Sequence, residues 1–139
     1  MIEFHFETEF RLSNTEKYRN WVSKIVTTEG YSIGDLNYIF CDDSYLLEIN
    51  QKYLRHDTLT DIITFDYTTG KTMSADIYIS TERVQENAVS YQVTFENELL
   101  RVMSHGILHL AGYKDKKEEH KKEMRLKEEE KIKMFHVEQ

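Results

Sequence analysis

The feature that most constrains this chain is an apolar segment, residues 95–111, that carries two histidines four positions apart. Thr94 precedes the segment as a helix-capping residue type, and Gly112 follows it as the type that ends helices in the left-handed backbone conformation. The apolar side chains recur at helical spacing, and His105 and His109 fall at the border of the apolar arc. The pattern predicts a mostly buried helix whose two histidines face the floor of a cleft.

A carboxylate follows the two histidines at a spacing that suits metal binding. Asp115 comes three residues after Gly112, so a tight turn could return it toward His105 and His109. Two nitrogen ligands and one oxygen ligand leave a fourth tetrahedral position for water, as in catalytic zinc sites. Histidine pairs that only form hydrogen bonds are common on helices, so the third ligand carries much of the argument. His120 is a spare candidate, about a turn into the next helix.

Short strands and helices are mixed along the rest of the chain. Strands are predicted at residues 2–6, 36–41, 62–67 and 75–79. The first helix is predicted from a capping box of Ser13 and Glu16 to Gly30, and the second from Asp42–Asp43 to Arg55. Three more helices are predicted from Ser80 or Thr81 to about Tyr91, over residues 95–111 and over residues 116–134. The strands at 62–67 and 75–79 are expected to pair as a hairpin. The order predicts an α+β fold, or mixed α/β layer, with helices on a small sheet of about four strands and the metal site on a central buried helix.

The charged segment 116–134 is predicted to form a solvated terminal helix held by ion pairs. Its apolar residues Met124, Leu126 and Ile132 are too sparse for deep burial on this interpretation.

Length and composition predict a single domain over residues 1–139. Cys41 is the only cysteine, which excludes a disulfide framework and a cysteine metal cluster. No run approaches membrane-spanning length, and the N-terminus alternates like an edge strand and unlike a signal peptide. We therefore expect a cytoplasmic protein without a membrane partner. The net charge of −7 means that a nucleic-acid ligand would need a local basic feature, and the sequence shows no broad basic patch.

Three motifs resemble those of the YbeY family of bacterial rRNA-maturation endoribonucleases. The family signature His-Gly-x-Leu-His-Leu-x-Gly-Tyr-Asp-His is matched by HGILHLAGYKD at residues 105–115. A second family signature has an Arg, a Thr-Asp pair and then Val-Leu-Ser-Phe, and this chain has RHDTLTDIITF at residues 55–65. A third signature is Gly-Asp-Ile before a strand, and this chain has ADI at residues 75–77. Their order, their spacing and the chain length all fit, so the likeness covers nearly the whole domain.

The resemblance implies a metal-dependent endoribonuclease that prefers single-stranded RNA and acts in ribosome maturation and quality control, including 3′-end processing of small-subunit (16S) rRNA. It implies rRNA and the ribosome or its small subunit as partners, and one Zn²⁺ as cofactor. It also implies that His105 and His109 are the first two metal ligands and that Arg55 is the cleft arginine. The catalytic set is then Arg55, His105 and His109. Asp61 and Asp76 are assigned to a second shell that holds the loop and a histidine tautomer, and His56 to the surface.

The chain departs from the family at the third ligand, where Asp115 stands in place of histidine and Lys114 in place of aspartate. Aspartate can bind zinc, so the ligand count is retained. A carboxylate lowers the net charge of the site by one unit, which makes a bound water less acidic and makes Mn²⁺ or Fe²⁺ more competitive. Another divalent metal therefore remains an alternative to zinc.

Two rival functions share some of these features. One rival is a zinc metalloprotease, because its long motif has the same spacing as His105, His109, Gly112 and Asp115. In such proteases the general base follows the first histidine, and here that position is Gly106, which cannot take a proton. A non-enzymatic ribosome-assembly factor with a structural metal would normally supply four protein ligands, and the sequence offers three. For Arg55, the alternative to phosphate binding is a loop salt bridge to Asp57 or Asp61.

Overall fold

The computed structural model describes residues 1–55 and 59–137 of the chain. Within these ranges strands and helices are mixed along the sequence. They are β1 (Ile2–Phe6), α1 (Thr15–Thr28), β2 (Ser32–Cys41), α2 (Asp43–Leu54), β3 (Ile62–Asp66), β4 (Thr72–Ser80), α3 (Thr81–Tyr91), α4 (Phe95–Leu110) and α5 (Glu118–Val137). The predicted α+β class is confirmed. None of the helices in the described ranges is long and apolar enough to cross a membrane.

The strands form one sheet in the order β1-β2-β4-β3. The pairs β1–β2 and β2–β4 are parallel, and β3 pairs antiparallel with β4, so the predicted hairpin is confirmed. β2 and β4 begin earlier than predicted, at Ser32 and Thr72, because their ladder continues beyond an irregularity between Ile33 and Leu36. The alternation of apolar and polar residues is interrupted at that point, so the sequence pattern did not reveal the first part of either strand.

The two faces of the sheet are covered by different helices. The Tyr38 hydroxyl donates to the Met103 carbonyl at 2.9 Å, and Ile77 lies against Gly106, so this face packs on α4. Because side chains alternate along a strand, Asp76 points to the opposite face. That face carries a small separate cluster around residues of α2. The main core therefore lies between the sheet and the layer that contains α1 and α4.

α4 is the central buried helix predicted from the sequence. The Thr94 side chain accepts a hydrogen bond from Asn97 N at 3.0 Å and so caps its N-terminus. Gly106 faces the sheet, where a Cβ would stand 3.1 Å from Ile62 Cδ1 and 3.4 Å from Ile77 Cγ2. The missing side chain lets the helix approach β3 and β4 closely, which fixes the height of the histidines above the sheet.

The capping box predicted for α1 is wrong. Asn14, one residue after Ser13, is the N-cap, and its side chain accepts from Lys17 N at 3.2 Å. Asparagine is at least as good an N-cap as serine. Glu16, the other half of the predicted box, forms an ion pair with Arg19.

The prediction that the terminal helix is solvated is also wrong. Met124, Glu128, Lys131 and Phe135 are each at most 2% exposed and follow one another at intervals of four, three and four residues. They therefore form one helical face. Two of the four are charged, so a search for apolar periodicity overlooks this face. Leu126, which the prediction counted as apolar, is 66% exposed.

This face of α5 packs on α1 through aromatic and polar contacts. The Phe135 ring lies 4.9 Å from the Tyr18 ring and edge-on to Trp21 at 5.4 Å between centroids. Trp21 Nε1 donates to the Lys131 carbonyl at 2.7 Å, and Lys131 Nζ lies 2.7 Å from a Glu29 carboxylate oxygen. A buried lysine is tolerated here because its charge is paired and hydrogen-bonded. α5 is thereby fixed in the core, and Glu128 is directed toward α4.

Candidate active site

The two histidines of α4 lie one helical turn apart on the same face. Their rings are nearly parallel, with an interplanar angle of 9° and 6.3 Å between centroids. His105 is half-buried with 21% of its side chain exposed, whereas His109 is exposed. The arrangement gives one anchored imidazole and one that opens to solvent.

The turn after α4 brings Asp115 back to the first histidine. Gly112 has a φ of 104°, and Tyr113 N donates to the Leu108 carbonyl at 3.1 Å, which together close the end of the helix. Asp115 Oδ2 then lies 3.3 Å from His105 Nε2. The structure therefore brings His105 and Asp115 together as the sequence spacing predicts.

The separation of these two atoms suits a metal ligand pair. Metal–nitrogen and metal–oxygen bonds of about 2.0–2.2 Å at a tetrahedral angle place two zinc ligand atoms roughly 3.4 Å apart. His109 does not join His105 and Asp115 in such a cluster. Within residues 1–55 and 59–137, no group of three or more His, Cys, Asp or Glu side chains is arranged to hold a metal ion. Two nitrogens and one carboxylate oxygen nevertheless fit a divalent ion chemically, with two of the three donors already adjacent.

Glu128 of α5 controls the other side of the His105 ring. Its Oε2 lies 2.7 Å from His105 Nδ1, and its side chain is 2% exposed. An ionised carboxylate only accepts hydrogen bonds, so Nδ1 is the protonated nitrogen in the neutral imidazole, and the lone pair of that tautomer lies on Nε2, on the side of Asp115. A lone pair facing an anionic oxygen at 3.3 Å is favourable only when a proton or a metal cation lies between them. This is the orientation that a metal-binding histidine requires.

Arg101 holds Glu128 within a buried network of charges. Its guanidinium donates to both oxygens of Glu98 at 3.0 and 2.8 Å and to both oxygens of Glu128 at 3.4 and 3.5 Å. It also forms an ion pair with Asp61 at 3.6 Å. Burial alone would lower the pKa of Arg101, but these three carboxylates outweigh it and raise the pKa above its ordinary value. Arg125 also pairs with Glu128, at 3.9 Å, so three carboxylates face two guanidiniums. One unit of negative charge remains in excess beside His105, which favours a bound cation.

The two carboxylates assigned to a second shell have different positions. Asp61 joins the network through Arg101, before the start of β3. Asp76 accepts from Asn37 Nδ2 at 3.2 Å on the sheet face opposite α4. The structure therefore does not bring Asp76 to the histidines, and the prediction of a second-shell role for it is not supported. The reason is strand alternation, because its neighbour Ile77 is the residue that faces α4.

Arg55 ends α2 in the left-handed conformation, with φ of 57°, and its side chain is exposed. Its backbone N–H donates to the Asn50 carbonyl. His56, Asp57 and Thr58, which include the surface histidine and one predicted salt-bridge partner of Arg55, lie outside the described residues. Asp61, the other predicted partner, pairs with Arg101.

The only cysteine offers no nucleophile. Cys41 is fully buried, and burial raises the pKa of its thiol to about 12, assisted by Asp42, Asp43 and Glu7. The thiolate, which is the reactive form, is therefore negligible at neutral pH. The chemistry of this molecule belongs to the α4 histidines and their surroundings.

Comparison with known proteins agrees with this geometry. The family model described as "Endoribonuclease YbeY" matches residues 3–136. The chain belongs to the YbeY family of endoribonucleases. A YbeY endoribonuclease of Flavobacterium psychrophilum is 57% identical over 139 residues, which is 100% of this chain and 99% of the relative. One of Flavobacterium johnsoniae is 56% identical over 139 residues and the full length of both chains.

A solved structure shares the fold. The solution structure of TM1509 from Thermotoga maritima is 31% identical, with a TM-score of 0.71 over 99% of this chain and 91% of that chain. The YbeY family and the endoribonuclease class predicted from the sequence are therefore confirmed.

Three residues at the YbeY site escaped the sequence analysis, namely Glu98, Arg101 and Glu128. Glu98, Arg101 and His105 are spaced by three and four residues, so they share one face of α4, and this signal was available. A buried Glu–Arg pair beside a histidine on an otherwise apolar helix indicates a structured charge network. Glu128 is 23 residues from His105 and gives no comparable local signal.

Proposed function

We propose that this YbeY-family chain is a metal-dependent endoribonuclease that forms a single domain over residues 1–139. It cleaves single-stranded RNA with an active site that contains His105, His109 and Asp115. Its biological role is maturation of rRNA, including the 3′ end of 16S rRNA, and ribosome quality control, on the small ribosomal subunit in the cytoplasm. The observation that carries the proposal is the convergence of His105 Nε2 and Asp115 Oδ2 at 3.3 Å, with Glu128 on the opposite ring nitrogen.

Each residue of the site has a distinct task. His105, His109 and Asp115 would hold one Zn²⁺, which supplies a Lewis acid for the phosphoryl oxygens and lowers the pKa of water. Glu128 keeps the proton on His105 Nδ1, and Arg101 keeps Glu128 in place. Arg55 offers a planar set of donors for the charge that develops on the phosphoryl oxygens.

The third ligand affects which metals the site can bind. A carboxylate from Asp115 is a harder ligand than imidazole, and the excess of carboxylates beside His105 adds further negative charge. Both features favour a divalent cation in general and reduce the advantage of zinc over Mn²⁺ or Fe²⁺. Zinc is the ion that the resemblance to the YbeY family implies, so we propose zinc as the native ion and Mn²⁺ or Fe²⁺ as competent substitutes.

Neither rival function fits the site as well. A metalloprotease needs a general base next to the first histidine, and Gly106 occupies that position against Ile62 and Ile77. Glu128 cannot replace it, because its carboxylate binds the Nδ1 side of His105, away from the side that faces Asp115. A structural zinc site would be closed by four ligands. The ligands proposed here, all in the described parts of the chain, are His105, His109 and Asp115, which leaves the fourth position open.

The function is tested by a cleavage assay on one RNA sequence in two forms. We expect metal-loaded protein to cut the single strand, to cut the same sequence slowly when it is annealed to its complement, and to lose activity after removal of metal by a chelator. Re-addition of Zn²⁺ should restore cleavage. His105→Ala, purified in parallel, should be inactive, which excludes a contaminating ribonuclease. Equal cleavage by stripped and loaded protein would contradict the metal mechanism.

Glu128→Gln is expected to weaken metal binding by roughly 10- to 100-fold. The Arg101 donors point at the side chain of residue 128, so the amide oxygen of glutamine would turn to Arg101 and its NH₂ to His105 Nδ1. His105 would then carry its proton on Nε2 and lose its free lone pair. Metal affinity is measured by competition with a fluorescent chelator, and the tautomer by ¹⁵N NMR of the imidazole in metal-free protein.

The exposed neighbour Glu129 provides the matched control on the same helix. Glu129→Gln removes the same charge and should leave metal affinity and the His105 tautomer unchanged. If both variants behaved alike, Glu128 would act only through general charge and not through its hydrogen bond to His105.

A further inference from the structure

A cavity lies beside the turn that carries Asp115. It has a volume of about 480 Å³, and its walls come from the end of α1, the start of β2, the β3–β4 turn, the α4–α5 turn and the first part of α5. The wall formed by residues 111–114 leads directly into Asp115. A ligand in this cavity would therefore lie next to the candidate metal site without occupying it.

Two tyrosines and two lysines line this cavity, and a third lysine, Lys127, lies outside it over one of the tyrosine rings. Tyr31 and Tyr113 line it, as do Lys71 and Lys114. Lys71 Nζ lies over the Tyr31 ring at 4.3 Å from its centroid, and Lys127 Nζ lies over the Tyr113 ring at 5.6 Å. Aromatic rings next to cationic groups are the combination that binds unpaired bases and their phosphates. This is also a local basic feature of the kind that an acidic RNA-binding protein needs.

The acidic residue closest to this cluster is already neutralised. Glu29 contacts Lys131 at 2.7 Å, Lys127 at 3.4 Å and the Tyr113 hydroxyl at 2.9 Å. Burial raises the pKa of Glu29, but these partners outweigh burial and hold the pKa below its usual value. The carboxylate thus remains ionised. Lys127 and Lys131 are shared between Glu29 and Glu130, so these two lysines and two carboxylates balance one another. The hydrogen bond of Glu29 also fixes Tyr113 in position. Glu123 is the other acidic residue of the lining, and it is exposed.

We propose that this cavity is a nucleotide subsite, in which an unpaired base of the RNA substrate stacks on Tyr31 or Tyr113 and its phosphate binds Lys71 and Lys114. A base that stacks on Tyr31 displaces the Lys71 ammonium from the ring toward the adjacent phosphate. A base within a duplex cannot enter, so the subsite gives the enzyme its preference for single strands. The proposal rests on the proposed function, because it takes RNA as the substrate.

The test measures RNA binding separately from cleavage. A fluorescent single-stranded oligoribonucleotide and its duplex are titrated against metal-free protein in chelator, and anisotropy gives both dissociation constants. We expect Tyr31→Ala to weaken binding of the single strand about tenfold and to leave duplex binding unchanged. Tyr31→Phe keeps the ring and should bind like the wild type. Lys71→Met should reduce the slope of log Kd against log salt by about 0.7, the value for one phosphate contact on a single strand.

Tyr91→Ala is the matched control, because Tyr91 is an exposed tyrosine at the end of α3 and outside this cavity. It should leave single-strand binding unchanged. In cleavage assays with metal-loaded protein, Tyr31→Ala should raise KM with little change in kcat. Thermal melting of each variant shows whether it is folded. If Tyr31→Ala were unfolded, the salt slope of Lys71→Met would still decide the question.

The outcomes separate this proposal from the proposed function. If wild-type protein cleaves single strands, but Tyr31→Ala and Lys71→Met bind them as tightly as the wild type and with the same salt slope, the subsite is wrong and the endoribonuclease proposal stands. If wild-type protein neither binds nor cleaves single-stranded RNA, the proposed function fails and the subsite with it.

Discussion

Arg55→Gly is expected to lower kcat on single-stranded RNA by on the order of 10²–10³ while leaving metal content unchanged and the fold slightly more stable. The activity falls because the donors for the phosphoryl oxygens are lost. Stability rises because Arg55 has a φ of 57°, a left-handed conformation that strains a residue with a side chain but not glycine. We expect a gain of about 0.5–1 kcal/mol in the free energy of unfolding. Activity, metal content and urea unfolding are measured on the same preparation.

The chain offers a matched control for this substitution. Gln92 ends α3 with the same φ of 57°, and these two residues are the only ones besides glycine with positive φ among those described. Gln92→Gly should therefore give a similar gain in stability with no loss of activity. If Arg55→Gly kept full activity, Arg55 would have only a structural role in its loop. If it lost both metal and stability, its effect would be on the fold and not on the phosphate.

The fold could be predicted from the sequence wherever local signals and tertiary packing agree. Thr94 and Ser80 cap α4 and α3 as their residue types suggest, and the hairpin of β3 and β4 follows from two β-type runs around a turn. The errors occur where packing overrides local pattern. Asn14 displaces Ser13 as the cap of α1, and α5 buries a face that contains Glu128 and a lysine.

The site could be predicted in part for a simple geometric reason. His105 and His109 lie on one helix, and Asp115 follows within a turn of defined geometry, so sequence spacing fixes their relative positions. Glu128 comes from a different helix, and its approach to His105 depends on how α5 packs against α1 and α4. No spacing rule encodes that approach. Asp76 was misplaced because a family motif does not say which face of the sheet a residue occupies.

Arg101 connects the parts of the site that come from distant sequence. It contacts Glu98 on its own helix, Glu128 on α5 and Asp61 before β3. The segment between α2 and β3, which begins with Arg55 and ends at Asp61, is thereby linked to the helix that carries the histidines. Because His105 is oriented by Glu128, one guanidinium positions both the proposed metal ligand and the end of the segment that begins with Arg55, the proposed phosphate-binding residue.

Asp115→Ala is expected to produce a large loss of metal, because only two protein ligands would remain. Among residues 1–55 and 59–137, Asp115 Oδ2 is the only donor atom that the structure places beside His105 Nε2. Asp115→His should retain the ion, since imidazole restores a third ligand and a more positive site. Metal stoichiometry is measured by elemental analysis of protein purified without chelators, and RNA cleavage is measured in parallel.

His120→Ala distinguishes the two candidates for the third ligand. His120 lies in the first turn of α5 and lines the cavity next to the turn at residues 111–114, whereas Asp115 faces His105. Its removal should therefore leave the metal in place. If Asp115→Ala kept one equivalent of metal and His120→Ala lost it, His120 would be the third ligand. Asp115 would then contact His105 without taking part in metal binding.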